Sequence, residues 1–197
     1  DGVRLVSDCG AFVYTRSFEE RNRFRSTAYH NTPQVDGEEI NRFKPGLLWD
    51  LEYDARPAVR RFETGADVDI FCGAHAGYGR LPAPVTPVRT IVLDHRSHAL
   101  TITDAFEGTG LHRFEIPLHL APGVTASEAG AGRLVLHSGA RVFGLDWEPA
   151  GSWALTIGEG RVSPSYGVAL GSVRLAFSRE GALLPGLTVR IAPLDRP

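Results

Sequence analysis

Short runs of Val, Ile, Leu, Phe, Tyr and Thr, each cut off by glycine or proline, set the limits on what this 197-residue chain can become. It carries 22 glycines and 13 prolines. No window of eleven or more residues keeps a 3.6-residue apolar period without a break, so helix is expected to be scarce, with one turn at residues 19–25. The clearest strand signal is the run 88–94, then His95-Arg96-Ser97, then 99–104, where Leu100 and Ile102 alternate with Thr101 and Thr103. That pattern predicts a β-hairpin with one polar face. Further strands are expected at 3–6, 11–15, 47–53, 58–62, 68–72, 112–120, 133–137, 141–147, 153–157, 168–177 and 187–191.

A chain of this length with about a dozen short strands must close into a barrel or stack two sheets to bury its apolar faces. The expectation is all-β, a large antiparallel β-sandwich, with residues 1–197 as a single domain. No repeat of fixed period is visible, and only 122–132, rich in Ala, Gly and Ser, reads as a separating loop.

Charge narrows the partners. The net charge is −2, and of 21 basic residues only Lys44 is lysine. That balance excludes a nucleic-acid binder, which shows a basic excess, while arginine offers a planar fork suited to carboxylates and sulfates. No stretch approaches the roughly 18 apolar residues of a membrane-spanning helix, and no targeting segment is visible. The chain starts at Asp1-Gly2 and holds no methionine, so an upstream segment is expected. Cys9 and Cys72 are too few for a disulfide framework and are read as buried thiols, with a single bridge left open.

The segment from Arg21 to Thr32 is the most polar and least strand-like, and it concentrates Arg21, Arg23, Arg25, Tyr29, His30 and Asn31 ahead of an Asp36-Gly37 turn signal. Loops on rigid β scaffolds are common places for binding groups. By itself this composition fits an irregular loop whose His30 and Asn31 bond the backbone as well as it fits a site.

The order Asp8-x-Gly10, Tyr14, Arg21-Asn22, Arg25-Ser26-Thr27-x-x-His30-Asn31-Thr32-x-x-x-Asp36-Gly37, then Ala74-His75-x-Gly77-Tyr78, resembles the C-terminal β-sandwich of the heparinase II/III-like family. Gly108-x-Gly110-x-His112, His119-Leu120-Ala121-Pro122-Gly123 and Gly158-x-Gly160-x-Val162-Ser163-x-x-Tyr166-Gly167 extend the resemblance over most of the chain. Members of that family are polysaccharide lyases with an N-terminal α/α toroid followed by this sandwich, and substrate lies between the two. The resemblance implies β-elimination on a uronate-containing acidic polysaccharide of heparin, heparan sulfate or alginate type. It also implies a partner toroid, absent here, as the same polypeptide or a separate chain, and a periplasmic or secreted location.

The resemblance further implies a metal, zinc or another divalent ion, with Asp8 and His30 as ligands, and a first histidine ligand upstream of Asp1. Imidazole with carboxylate is a sensible donor set for zinc. An elimination needs a base, an acid and a group that neutralises the uronate carboxylate. On that ground Tyr14 and Tyr29 are the catalytic candidates, and Arg21, Arg25, Asn31, His75 and Tyr78 the substrate-binding candidates. His112 and His119 are expected to pack between strands. Two positions depart from the family pattern: Cys9 stands in place of Pro, and Ala76 in place of an acidic residue. Both departures favour the alternative, a non-catalytic glycan-binding or structural sandwich. A homo-oligomer is compatible with the sequence, as is strand pairing through an open edge.

Overall fold

The computed structural model describes residues 2–194 and consists of two antiparallel sheets packed face to face. Helix is confined to α1 (Phe18–Arg25) and one 3-10 turn (Thr27–Tyr29). Twelve strands follow in chain order: β1 (Gln34–Val35), β2 (Ala58–Thr64), β3 (Val68–Ala74), β4 (Val85–Asp94), β5 (Leu100–Gly108), β6 (His112–His119), β7 (Val124–Glu128), β8 (Arg133–Ser138), β9 (Arg141–Glu148), β10 (Ala154–Ser165), β11 (Val168–Gly181) and β12 (Leu187–Pro193). The smaller sheet runs β1-β6-β11-β10 and the larger β2-β3-β4-β5-β12-β9-β8-β7. The all-β sandwich expected from the sequence is what forms.

The β4–β5 hairpin stands where the Leu100/Ile102 and Thr101/Thr103 alternation puts it, with Ile91 opposite Ile102 and Arg89 opposite Asp104. The core lies between the sheets. Phe114, Ile116 and Leu118 of β6 and Leu120 just beyond it, with Leu175 and Phe177 of β11, face Leu134, Leu136, Leu145, Leu187 and Val189 from the larger sheet, all 3% exposed or less. Burying each such side chain stabilises the fold by about 1.5–3 kcal/mol.

Strand β6 departs from a one-sided pattern, and its departure positions the site. Residues 114, 116, 118 and 120 point into the core, yet Pro117 and His119, on the opposite face, are also buried. The cover on that outer face is the N-terminal segment. Val6 bridges to Leu120, the 3-10 turn packs over β6, and the His119 ring lies 5.8 Å from that of Tyr29.

Five sequence expectations are corrected. Runs 3–6 and 47–53 supply only single bridges, at Val6 and Leu51, and 11–15 joins no ladder. Phe12 sits at φ 53°, which breaks the extended run, and Leu47, Trp49, Leu51 and Tyr53 are exposed with no sheet to lie on. Residues 124–128, expected within a loop, form β7 because Val124 is buried and the segment pairs with β8 along its whole length. The helix is longer than one turn, since Ser17 caps it by accepting from the Glu20 N–H and Glu19 and Glu20 fill its first turn.

Candidate functional site

Two turns brought together on the outer face of the smaller sheet build the site. The first is Asp8-Cys9-Gly10. Asp8 Oδ2 accepts from the Gly10 N–H at 2.8 Å, which closes the turn. Gly10 has φ +75° and lies so close to β10 that a Cβ there would sit 2.2 Å from the Ser163 carbonyl oxygen. Ser163 N–H donates to the Cys9 carbonyl at 2.7 Å. Only glycine fits, and the fit fixes the direction of the Asp8 carboxylate.

The second turn ends at His30. Its backbone is held from several sides. Thr27 N–H donates to Glu39 at 2.6 Å, Thr27 Oγ1 accepts from Ile40 N–H at 2.9 Å, and His119 Nε2 reaches the Ala28 carbonyl at 3.3 Å. Asn31 is the rivet between the two turns: its amide nitrogen donates to the Ser7 carbonyl at 3.0 Å and its oxygen accepts from His119 N–H at 2.7 Å. Arg89 donates to the Asn31 carbonyl and grips the buried Asp104 carboxylate with both arms of its guanidinium at 2.7 Å.

As a result, His30 Nδ1 lies 2.7 Å from Asp8 Oδ1. The hydrogen bond to Asp8, aided by the Cys9 thiol 3.8 Å away, pushes the His30 pKa up to about 10, while the same bond holds Asp8 below its ordinary value. With nothing but a proton between them the two form an imidazolium–carboxylate pair. Asp8, Cys9 and His30 place one ligand atom each within 4.8 Å of one another, the one such cluster among the described residues. Carboxylate, imidazole and thiol are all donors that zinc accepts. Cys9, wholly buried, directs its Sγ at the Phe24 and Gly10 carbonyls, both at 3.3 Å, so Asp8 and His30 are the pair available to an ion.

Other residues singled out by the sequence have different surroundings. Tyr78 is 0% exposed, its hydroxyl donating to the Pro33 carbonyl at 3.1 Å, so the substrate contact expected of it gives way to a role in holding the loop. Asn31 is corrected in the same way, because both ends of its amide are spent on backbone. Arg25 donates to the Leu48 and Leu47 carbonyls at 2.6 and 3.2 Å and lies over the Phe43 ring, so its fork clips loop 47–49 rather than facing solvent. Arg23 pairs with Glu19 and Glu20. Tyr29 packs between Phe24 and His119, and Tyr14 is exposed among other rings. His112 and His119 are buried against strands as expected, and both cysteines are free thiols.

His75 lines a cavity of about 310 Å³ with Thr32, Pro33, Val59, Phe71 and Arg89. Its Nδ1 accepts from Gly77 N–H at 3.2 Å, while Nε2 is buried without a hydrogen-bond partner. Burial and the Arg89 charge push its pKa down to about 4. The unfolded chain protonates this histidine near 6.5, whereas the folded one resists to about 4. The native state therefore excludes a proton that the unfolded state binds, and stability falls as pH drops through that window. In urea titrations at pH 7 and pH 5, the parent is expected to lose more stability than His75→Gln; equal losses would remove His75 as the cause.

The family model described as heparinase II/III-like, C-terminal, matches residues 1–181. The chain belongs to the heparinase II/III-like family. Among solved structures, this heparinase-like sandwich is similar to a heparan sulfate lyase from Pedobacter heparinus, with TM-score 0.79 and 18% identity, over 100% of this chain and 29% of that one. It is also similar to a heparinase III, with TM-score 0.75 and 14% identity, over 100% of this chain and 28% of that one. The chain thus spans less than a third of the length of these relatives. No curated protein sequence matches it.

Two features are not read as parts of a site from the sequence, which notes Cys9 only as a thiol that departs from the family pattern and Tyr166 only within a motif. Cys9 is the third member of the donor cluster, and Trp49 and Tyr166 join Tyr14 in a ring cluster. For Cys9 the signal was its place beside Asp8. For the rings there was none, because exposure is not written in the local sequence.

Proposed function

We propose that this chain is the β-sandwich part of a polysaccharide lyase that cleaves uronate-containing acidic polysaccharide, of heparan sulfate or alginate type, by β-elimination. The family match across residues 1–181 carries this reading, and the heparan sulfate lyase among the structural relatives supports the substrate class. We assign Asp8 and His30 as ligands of a divalent metal, zinc, whose bound charge would replace the shared proton and tie the two turns together. A further ligand comes from outside the described residues.

In the elimination a base removes the proton α to the uronate carboxylate, the C4–O bond breaks, a C4–C5 double bond forms and an acid protonates the departing oxygen. Tyr29 is packed between Phe24 and His119 and Tyr14 stands against Trp49, Tyr166 and Arg21, so base and acid are assigned to the remainder of the polypeptide. This chain holds the shape of one wall of the cleft. No helix of the described residues is long and apolar enough to cross a membrane, and a polymeric substrate implies a periplasmic or secreted enzyme.

Near-ultraviolet absorbance of the unsaturated uronate, followed on heparan sulfate and on alginate, tests the reading. Product is expected from the complete polypeptide and none from this chain alone. Glycan bound but left intact by the complete polypeptide would overturn the lyase reading in favour of the glycan-binding alternative.

A further inference from the structure

Along α1, on the surface beside the two turns, four side chains form a group that the metal pair does not use. The Tyr14 ring lies 5.2 Å from Trp49 and 5.2 Å from Tyr166, with interplanar angles of 53° and 43°. These rings are 43%, 60% and 59% exposed. The Arg21 guanidinium sits 5.6 Å from the Tyr14 centroid and 5.3 Å from that of Trp49. Four elements contribute: the segment after the Asp8 turn, loop 47–49, the turn between β10 and β11, and α1, which carries Arg21. Arg25 fixes the second of these by clipping the Leu47 and Leu48 carbonyls, which brings Trp49 beside Tyr14.

The charge at its centre is uncompensated. Among the described residues no carboxylate pairs with Arg21, and Glu20, its neighbour on the helix, is already engaged by Arg23 and Arg161. Arg21 Nε is buried without a hydrogen-bond partner. Large rings left in water cost free energy that a partner recovers, and tilted rings around a cation present ring faces and guanidinium to the same ligand. A pyranose offers C–H faces to the rings, and a carboxylate or sulfate offers the guanidinium a charge-assisted bond.

We propose that Tyr14, Trp49, Tyr166 and Arg21 form a stacking platform for an acidic saccharide, by which this chain itself grips the polymer. The inference rests on the acidic-polysaccharide reading above and assigns the saccharide a place on the sandwich. Neutral saccharide meets the rings but leaves the arginine unanswered, so the platform discriminates by charge.

Trp49 supplies its own reporter, since Trp147 and Trp153 are buried. Titration of this chain with a heparan sulfate tetrasaccharide, an alginate tetrasaccharide and maltotetraose, followed by tryptophan emission and by calorimetry, is the test. An acidic tetrasaccharide is expected to change the emission and to bind more tightly than maltotetraose, with the difference shrinking at high salt. Trp49→Ala and Arg21→Gln are each expected to weaken acidic binding roughly tenfold, Arg21→Gln leaving maltotetraose unaffected. Phe62→Ala, an exposed ring on β2, is expected to change nothing. Circular dichroism of each variant identifies any that fails to fold, and Tyr166→Ala then serves as the second probe of the same surface.

Acidic binding unchanged by all three platform variants would overturn the platform while leaving the substrate class intact. So would emission that ignores saccharide but shifts when the rest of the polypeptide is present, which would mean that the rings seat another domain. Failure to bind any acidic glycan, together with no unsaturated product from the complete polypeptide, would remove the substrate reading itself.

Discussion

Replacing Arg89 with methionine is expected to destabilise this sandwich by about 3–5 kcal/mol, a fall in Tm on the order of 10 °C for a chain of this size. Arg89 on β4 and Asp104 on β5 are direct cross-strand partners, and Asp104 is 1% exposed. Methionine keeps much of the aliphatic stem but strands the carboxylate in the protein interior. Replacing both residues, as in Arg89→Met with Asp104→Val, is expected to recover most of the loss, because no charge is then left buried alone. Urea denaturation followed by circular dichroism measures both. A single variant within about 1 kcal/mol of the parent would show that the pair contributes little. The double variant has a second use: Arg89 also holds the Asn31 carbonyl, so metal binding should stay weakened even where stability has returned.

The second large effect concerns the metal. Elemental analysis of the complete polypeptide is expected to find about one zinc per chain, and Asp8→Ala or His30→Ala should bring that to background. A ligand at a hundred times its Kd stabilises by about 2.7 kcal/mol, so a chelator should lower the Tm of the parent and leave both variants where they were. Cys9→Ser separates the cluster members. The thiol is engaged with the Phe24 and Gly10 carbonyls, so this variant should retain its metal. Unchanged zinc in both Asp8→Ala and His30→Ala would sink the site.

What the sequence made legible follows from which forces act locally. The Leu100/Ile102 against Thr101/Thr103 alternation gave the β4–β5 hairpin because strand period and burial coincide there. The Asp36-Gly37 turn was legible because both residues must adopt positive φ, at 55° and 73°. The Asp8–His30 pair came from the family resemblance, and the structure brings the two side chains into contact across 22 positions of chain. Tyr78 and Asn31 were misread because their residue types suit either a ligand or a loop brace, and only the carbonyls of Pro33 and Ser7, distant in sequence, decide between the two. Trp49 was invisible for a like reason: run 47–53 has the composition of a strand, and nothing local tells it that no neighbour is available.

The N-terminal segment of the fold is held in an unusual way. From Asp8 to Tyr53 the segment contributes two strand residues, Gln34 and Val35, and is otherwise fastened by isolated backbone bonds, from Ser163 N–H to the Cys9 carbonyl and from Gly167 N–H to that of Phe12, and by side chains bonded to backbone, those of Asn31, Tyr78, Arg25 and Asn41. The ladders that stabilise the sandwich therefore owe almost nothing to the residues that would meet a ligand. Such an arrangement lets recognition drift while architecture stays: the surface from Tyr14 to Trp49 can be rewritten, residue by residue, with scarcely a rung lost from either sheet.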